Sequence, residues 1–195
     1  MGKYPITQAQ WESVMKTNPS YFKNPDSPVS DVSWFDCMDF ISRVNQSSGF
    51  CIALPTEAQW EYACRASRGT SFGRNLAEEA WCLENSGRRT HTIGRKAAND
   101  WGLYDMLGNV WEWCSDWFGS YTCDESCDPM GPNAGECRVS RGGSCYDESS
   151  YCSATHRNRG LPSESGHNVG FRVICFSGNA IAYNGVECFS GCPTG

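Results

Sequence analysis

The side chains best equipped for chemistry are the hydroxyl, imidazole and amide groups that lie between Gly143 and Gly170. Tyr provides amphipathic contact area at low entropic cost, while Ser, Gly, Asn and His provide adaptable hydrogen bonds, as in antibody paratopes. The composition of this window, residues 144–169, therefore predicts a recognition surface. The predicted ligand-binding residues are Tyr146, Asp147, Ser149, Ser150, Tyr151, Ser153, Thr155, His156, Asn158, Gly160, Leu161, Ser163, Ser165, Gly166 and His167.

The window has too few aliphatic residues to bury itself, so it must lie on the outside of the fold. Apolar residues alternate from Val169 to Cys175 and are expected to hold its C-terminal end. We predict Tyr146, Tyr151, His156 and His167 as the anchors of the surface. An ordinary solvated loop would have the same composition, and both histidines could equally be unremarkable surface residues.

A second cluster of polar groups surrounds a glycine turn. Asp105 and Glu112, with the backbone carbonyls of Gly108 and Val110, place hard oxygen ligands within a short segment. Such ligands suit Ca²⁺, and we predict a structural calcium site beneath the recognition surface. The alternative is that Asp105 and Asn109 cap the turn and Glu112 pairs with a buried arginine such as Arg172. In either case Trp111 and Trp113 are expected to pack in the core.

Charge and hydropathy exclude several partners. The 195 residues carry a net charge of −6 and no basic stripe, so nucleic acid is not an expected partner. No run approaches the roughly 18 apolar residues of a membrane-spanning helix, and the N-terminus lacks a signal-peptide pattern. The sequence predicts a soluble chain with one globular domain.

Three helices are predicted from their starts at Thr7, Ser33 and Thr56. Each hydroxyl is followed three residues later by an acid or amide, which is the pattern of a capping box. The apolar residues behind these caps recur at helical spacing: Trp11, Val14 and Met15; Cys37, Ile41 and Val44; Trp60, Ala63 and Cys64. Each helix is thus expected to bury one face.

Turns and short strands replace this periodicity after residue 67. Candidate strands lie near 90–93, 139–141 and 169–175, separated by glycine turns. Helices early and strands late predict an α+β fold that is irregular and loop-rich, with a small antiparallel sheet.

Thirteen cysteines, an odd number, cannot all pair within one chain. Cys37, Cys64, Cys114 and Cys175 occupy apolar positions and are expected to be buried free thiols. For the cysteines in glycine-rich and polar loops a surface disulfide is an alternative, and their spacing is poor for zinc. These loop cysteines are Cys123, Cys127, Cys137, Cys188 and Cys192.

Five sequence islands occur in order along the chain: MGKYPITQ from Met1, LPTEAQWEY from Leu54, GLYDMLGNVWEW from Gly102, RGGS from Arg141 and NVGFR from Asn168. Together they resemble the formylglycine-generating-enzyme (sulfatase-modifying factor) domain, a variant of the C-type lectin fold. The resemblance covers residues 1–175 as one domain and leaves 176–195 as a C-terminal extension. Upstream residues, with any signal or anchor, are expected to be missing from this chain.

The resembled family contains a copper oxidase that converts a substrate cysteine to formylglycine. By similarity its Cu(I) lies between two cysteines, at positions that correspond here to Asp147 and Cys152. A carboxylate is a poor ligand for two-coordinate Cu(I). Cys145 is the only substitute nearby, two residues early, so an oxidase with Cys152, Cys145 and Ser144 as its catalytic residues is the disfavoured alternative. In this family, positions matching the Asp105–Glu112 island bind calcium.

The second kind in the resembled family is the variable protein of diversity-generating retroelements, to which this sequence is most similar and which displays rewritten side chains between a Gly-Gly-Ser turn and Gly-Phe-Arg. That resemblance implies a non-catalytic receptor for a macromolecule or glycan on another cell or particle. Its expected location is a cell surface or a phage particle. A paralogue with neither diversification nor catalysis is the third interpretation.

Overall fold

A computed structural model describes residues 1–49, 51–66, 75–121 and 128–176. Cys123, Cys127, Cys188 and Cys192, and the extension beyond residue 176, lie outside the described residues. The proposed disulfides among these loop cysteines therefore stay predictions.

The three predicted helices are confirmed as α1 (Gln8–Met15), α2 (Trp34–Ser48) and α3 (Glu57–Arg65), each with a complete capping box. In α1, for example, the Thr7 hydroxyl accepts from the Gln10 amide at 3.1 Å, and the Gln10 side chain accepts from the Thr7 amide at 2.9 Å. Two single-turn helices, α4 (Leu76–Glu79) and α5 (Leu83–Ser86), follow.

Six short strands complete the described part of the fold. They are β1 (Ile52–Ala53), β2 (Trp111–Trp117), β3 (Arg138–Arg141), β4 (Arg157–Gly160), β5 (Val169–Gly170) and β6 (Ile174–Cys175). The main sheet has the order β4-β3-β2-β5, antiparallel except for the parallel pair β2 and β5, and β1 pairs with β6. The predicted α+β architecture with a small, mainly antiparallel sheet is confirmed.

The helices pack on the sheet through two apolar clusters. Trp11 of α1 stacks on Phe40 of α2, and both rings meet the edge of Phe171. Trp60 of α3, which is fully buried, belongs to the second cluster with Cys114 and Val139. The predicted helical stripes therefore do form the contacts between the helices and the sheet.

Strand β2 lies at the centre of the sheet and was not predicted from the sequence. Tryptophans and acids alternate along it without the aliphatic residues that indicate a central strand. Trp111 and Trp113 are buried, as predicted, and the Trp113 indole donates to the Val32 carbonyl at 3.1 Å. Partners on other elements satisfy the polar groups of the β2 side chains, so this strand can be buried without aliphatic residues.

The predicted strand near 90–93 is wrong. The side-chain amide of Asn109 occupies the place of a neighbouring strand: it accepts from the His91 amide at 3.0 Å and donates to the His91 carbonyl at 3.1 Å. The Ile93 amide donates to the Asp26 carbonyl. Backbone groups satisfied in this way need no ladder.

The apolar alternation at 169–175, predicted as one strand, forms two short strands, β5 and β6. The residues between them pair with the N-terminal segment, because Ile6 donates to the Phe171 carbonyl at 2.9 Å and Gly2 donates to the Val173 carbonyl at 2.7 Å. The C-terminal end of the window is therefore fixed to the start of the chain.

Cys37 and Cys114 are buried free thiols, as predicted, and Cys64 and Cys175 are free and half-buried. Burial raises the pKa of Cys64 to about 12 and that of Cys114 well above its usual value. Cys137, immediately before β3, is also free. No helix in the described ranges is long and apolar enough to cross a bilayer.

Candidate functional site

Two glycines turn the chain from β3 into the window. Gly142 and Gly143 have φ of 103° and 78°, values that L side chains rarely adopt. A Cβ on Gly143 would lie 2.7 Å from the Cys152 sulfur and 2.9 Å from the Cys152 Cα. The turn therefore requires glycine both for its conformation and for the close approach of the Cys152 backbone.

The fifteen predicted ligand-binding residues are all exposed or half-buried, whereas residues 141–145, which lead into the window and form its first two positions, and residues 170–173, which follow it, are buried. Exposure does not test whether these residues bind a ligand, so their role stays a prediction. The predicted distinction between a buried frame and an accessible window does hold in the structure.

Inside the window, a 3-10 turn at Ser149–Tyr151 is followed by strand β4. The Tyr151 ring lies edge-on to His156 with 4.7 Å between centroids, and His156 tilts over Trp111 at 5.8 Å. Two of the predicted anchors are thus adjacent, and one of them, His156, lies against a buried tryptophan. The other two anchors, Tyr146 and His167, begin and end the window.

Arg141 fastens the start of the window to α3. It is fully buried, forms ion pairs with Glu57 and Glu61, and donates to the carbonyls of Ala154 and His156 at 2.7 and 3.1 Å. These carbonyls belong to the window, so its backbone path is set by an arginine outside it. Charged donors of this kind form the stronger class of protein hydrogen bonds.

Arg157 ties strand β4 to the same carboxylate. Its guanidinium makes a bidentate pair with Glu57 at 2.6 and 2.7 Å, and it donates to the Gly119 carbonyl at 2.8 Å. The Tyr121 hydroxyl donates to Glu57 at 3.1 Å. Glu57 of α3 is therefore paired with Arg141 of β3 and with Arg157 of β4, and it connects the helix to both strands.

Glu112, predicted as a calcium ligand, pairs with Arg172 in the core. The Arg172 guanidinium donates to the two carboxylate oxygens at 2.7 and 2.8 Å, and the Trp60 indole donates at 2.7 Å. Both residues are buried. Arg172 also donates to the Gly2 and Tyr104 carbonyls at 3.0 and 2.9 Å. These contacts match the alternative in which Glu112 neutralises a buried arginine.

The carboxylate of Asp105 is also engaged, by hydrogen bonds from other groups of the protein. Its carboxylate accepts from the Gly94 amide at 2.7 Å and from the Asn109 side chain at 3.2 Å, and burial raises its pKa. A cation at these oxygens would displace existing donors and lie close to the Arg172 charge. The donor set of Asp105, Gly108, Val110 and Glu112 therefore does not fit Ca²⁺, and calcium binding stays an untested prediction.

The thiols of the oxidase alternative are buried. Cys145 and Cys152 are almost fully inaccessible, and burial raises the pKa of each thiol to about 12. Cys152 packs in one cluster with Ala80 and Cys82. The Asp147 carboxylate accepts from the Ser144 hydroxyl. Protonated, buried thiols and an engaged carboxylate are a poor fit to Cu(I), which requires thiolates.

Sequence reasoning missed the residues outside the window that contact it. Asp31 reaches His167, with 2.5 Å between Oδ1 and Nδ1, and Tyr21 stacks against the same imidazole. Glu84 accepts from the Ser149 amide at 3.0 Å, and Cys82 lies beside Cys152. No local sequence pattern marks these residues, because they lie more than 60 positions from their partners.

Helices packed against a small sheet, with a long polar segment framed by two of its strands, define a C-type-lectin-like fold. Residues 1–176 match the profile of the Sulfatase-modifying factor enzyme 1-like domain. The chain belongs to this family, and the resemblance predicted from the five islands is confirmed.

Similar proteins include enzymes and a variable protein. The chain is 31% identical to the formylglycine-generating enzyme of Bos taurus and 34% identical to that of Streptomyces coelicolor, covering 86% of this chain but only 49% and 58% of theirs. It is 28% identical to Treponema denticola variable protein 1, with a TM-score of 0.83, covering 88% of this chain and 82% of that one. The chain thus spans about half the length of the enzymes it matches.

Proposed function

We propose that this protein is a non-catalytic receptor-type binding protein whose ligand contacts the window between Gly143 and Gly170. The observation that carries the proposal is the contrast within this segment. Every predicted contact residue is accessible, while the residues that frame them are buried and held by ion pairs and glycine turns. The likeness to a variable protein over most of both chains supports the same function.

The proposed ligand is a macromolecule or glycan on another cell or particle, and the proposed location is a cell surface or a phage particle. A surface of Tyr, Ser, Asn and His adapts to many ligands without changes in its frame. Diversification confined to the window would change specificity and leave the fold intact. The proposal therefore assigns a fixed scaffold and a replaceable surface rather than one fixed ligand.

Population sequencing of the gene tests this proposal. We expect substitutions concentrated in codons 144–169, directed at adenines of a template copy, and rare in codons 1–140. Codons 170–173, which encode the buried end of the frame, serve as the internal control and should stay constant. A window as uniform as its flanks would refute diversification.

The second candidate is an oxidase, favoured by the identity to formylglycine-generating enzymes. It predicts Cu(I) binding that is lost on Cys152→Ser, and oxygen consumption with a cysteine-containing peptide. We expect neither, because Asp147 replaces a soft ligand and the remaining thiols are buried. Stoichiometric Cu(I) binding abolished by Cys152→Ser, with peptide-dependent oxygen uptake, would reverse the choice between the two functions.

A further inference from the structure

Large exposed side chains from outside the window border its C-terminal arm, residues 161–167. Tyr21 is 64% exposed and Phe35, in the first turn of α2, is 57% exposed. Leu161, within the arm, is also exposed. Isolated exposed apolar residues are common, but a group of them beside a polar surface marks an interaction site.

Backbone hydrogen bonds hold the arm against the segment that carries these side chains. The Asp31 amide donates to the Gly166 carbonyl at 2.9 Å, and the Phe35 amide donates to the Pro162 carbonyl at 3.3 Å. Both contacts use main-chain atoms of the arm. They therefore survive any change of side chain within it, apart from proline at constrained positions.

Side chains of the same segment complete the contact. The centroids of the Tyr21 and His167 rings lie 4.7 Å apart, and the Asp31 carboxylate forms a hydrogen bond with the His167 Nδ1. The Asp31 carboxylate also accepts from the Tyr21 amide at 2.9 Å. Tyr21 is thus positioned by its own backbone beside an anchor of the window, with its ring open to solvent.

We propose that Tyr21, Asp31 and Phe35 form a fixed half of the recognition surface, which binds a protein patch that carries lysine or arginine around an apolar centre. This inference rests on the proposed function and specifies its partner. The window supplies variable contacts, and the fixed half supplies contacts common to every variant.

Apolar exposure favours a protein over a glycan as the partner. Protein interfaces are enriched in Tyr, Phe and Met at their centres, and Met38, one turn after Phe35, is exposed as well. Phe35 and Leu161 offer no side-chain hydrogen bonds to sugar hydroxyls, and Met38 offers only a weak sulfur acceptor.

Charge complementarity favours a basic patch. The window contains the carboxylates of Asp147, Glu148 and Glu164, against Arg157 and Arg159. Arg157 is paired with Glu57 and Asp31 with His167, which leaves the exposed carboxylates of Glu148 and Glu164 against the exposed guanidinium of Arg159 in the window. Complementary potentials steer association and exclude wrong partners.

The test is selection of displayed random peptides on the 195-residue chain, with a glycan array probed in parallel. Selected peptides are then measured against Tyr21→Ser, Phe35→Ser and the window variant Tyr151→Ser. Tyr62→Ser is the matched control, because Tyr62 is a 63% exposed tyrosine on α3. Unfolding midpoints verify that each variant remains folded.

We expect the peptides to be enriched in lysine and arginine and to lose at least about tenfold in affinity with Tyr21→Ser and Phe35→Ser, but not with Tyr62→Ser. Peptides sensitive to Tyr151→Ser alone would refute the fixed half and leave the proposed function standing. Insensitivity to all three variants, or no selected peptides, would count against both. Saccharide binding lost with Tyr21→Ser would refute a protein partner.

Discussion

The buried frame and the exposed window differ in how far their polar side chains are engaged by other groups of the protein. In the frame, Arg172 and Glu112 satisfy each other and leave no group for a ligand. In the window, Tyr151, His156 and their neighbours have few partners and keep accessible polar atoms. Side chains that are fully engaged specify one structure, whereas those left free can change without altering the fold.

This difference explains how a segment of about two dozen residues can be replaceable inside a small domain. The Arg141 guanidinium donates to the Ala154 and His156 carbonyls of the window. The backbone amides of Asp31 and Phe35 donate to the Gly166 and Pro162 carbonyls, respectively. Main-chain acceptors are present whatever the side chain. The frame therefore fixes the path of the window while leaving its side chains free.

The largest effect is expected from Glu112→Gln, which leaves Arg172 buried without its counter-ion. We expect a loss of about 3–5 kcal/mol in the free energy of unfolding, measured by urea denaturation. Arg43→Gln removes an exposed pair with Asp39 and is the control, with an expected loss below about 0.5 kcal/mol. Similar losses in the two variants would remove the distinction between frame and surface.

Gly143→Ala should have the next largest effect. The positive φ costs a side chain about 1–2 kcal/mol, and the contact with Cys152 adds about 1–3 kcal/mol. Gly87→Ala measures the cost of the positive φ alone, since Gly87 has a φ of 63° and a Cβ added there would have nothing within 4 Å. Equal unfolding free energies for the two variants would show that the close approach to Cys152 contributes nothing.

A pH-dependent effect is expected from Glu84, whose pKa is lowered to about 2 chiefly because its carboxylate accepts from the Ser149 amide. A lowered folded-state pKa means stabilisation that is present above the unfolded value of about 4.3 and lost as pH falls toward 2. The stability difference between the parent chain and Glu84→Gln should therefore shrink from pH 6 to pH 2. A constant difference would contradict this anchoring role.

Substitutions at exposed window positions should have a still smaller effect. Thr155→Tyr and Ser165→Tyr add large side chains at exposed positions, so each should change the free energy of unfolding by less than about 0.5 kcal/mol. Thermal or urea unfolding provides the measurement. Losses above about 2 kcal/mol at both sites would show that the window is part of the core rather than a replaceable surface.

Calcium should have no measurable effect. Because the Glu112 oxygens are taken by Arg172 and Trp60, millimolar Ca²⁺ should shift the Tm by less than about 1 °C. A rise of several degrees that disappears with Asp105→Asn would restore the calcium site predicted from the sequence. Mg²⁺ at the same concentration controls for ionic strength.

Local patterns explain which parts of the fold could be predicted. The boxes at Thr7, Ser33 and Thr56 act within one helical turn, so the sequence alone located the three main helices. The prediction of a strand near 90–93 was wrong because the backbone there pairs with the Asn109 side chain and not with another strand. Strand β2 was missed because its acids and tryptophans find their partners on other elements.

The sequence by itself determined the family, the helix starts, the position of the window and the accessibility of its side chains, because each depends on residue type and near neighbours. Only the tertiary structure decided that Glu112 pairs with Arg172, that Cys152 lies beside Cys82, and that Tyr21 and Asp31 join His167. Ion pairs and contacts across more than 50 residues depend on how elements pack, which no local pattern encodes.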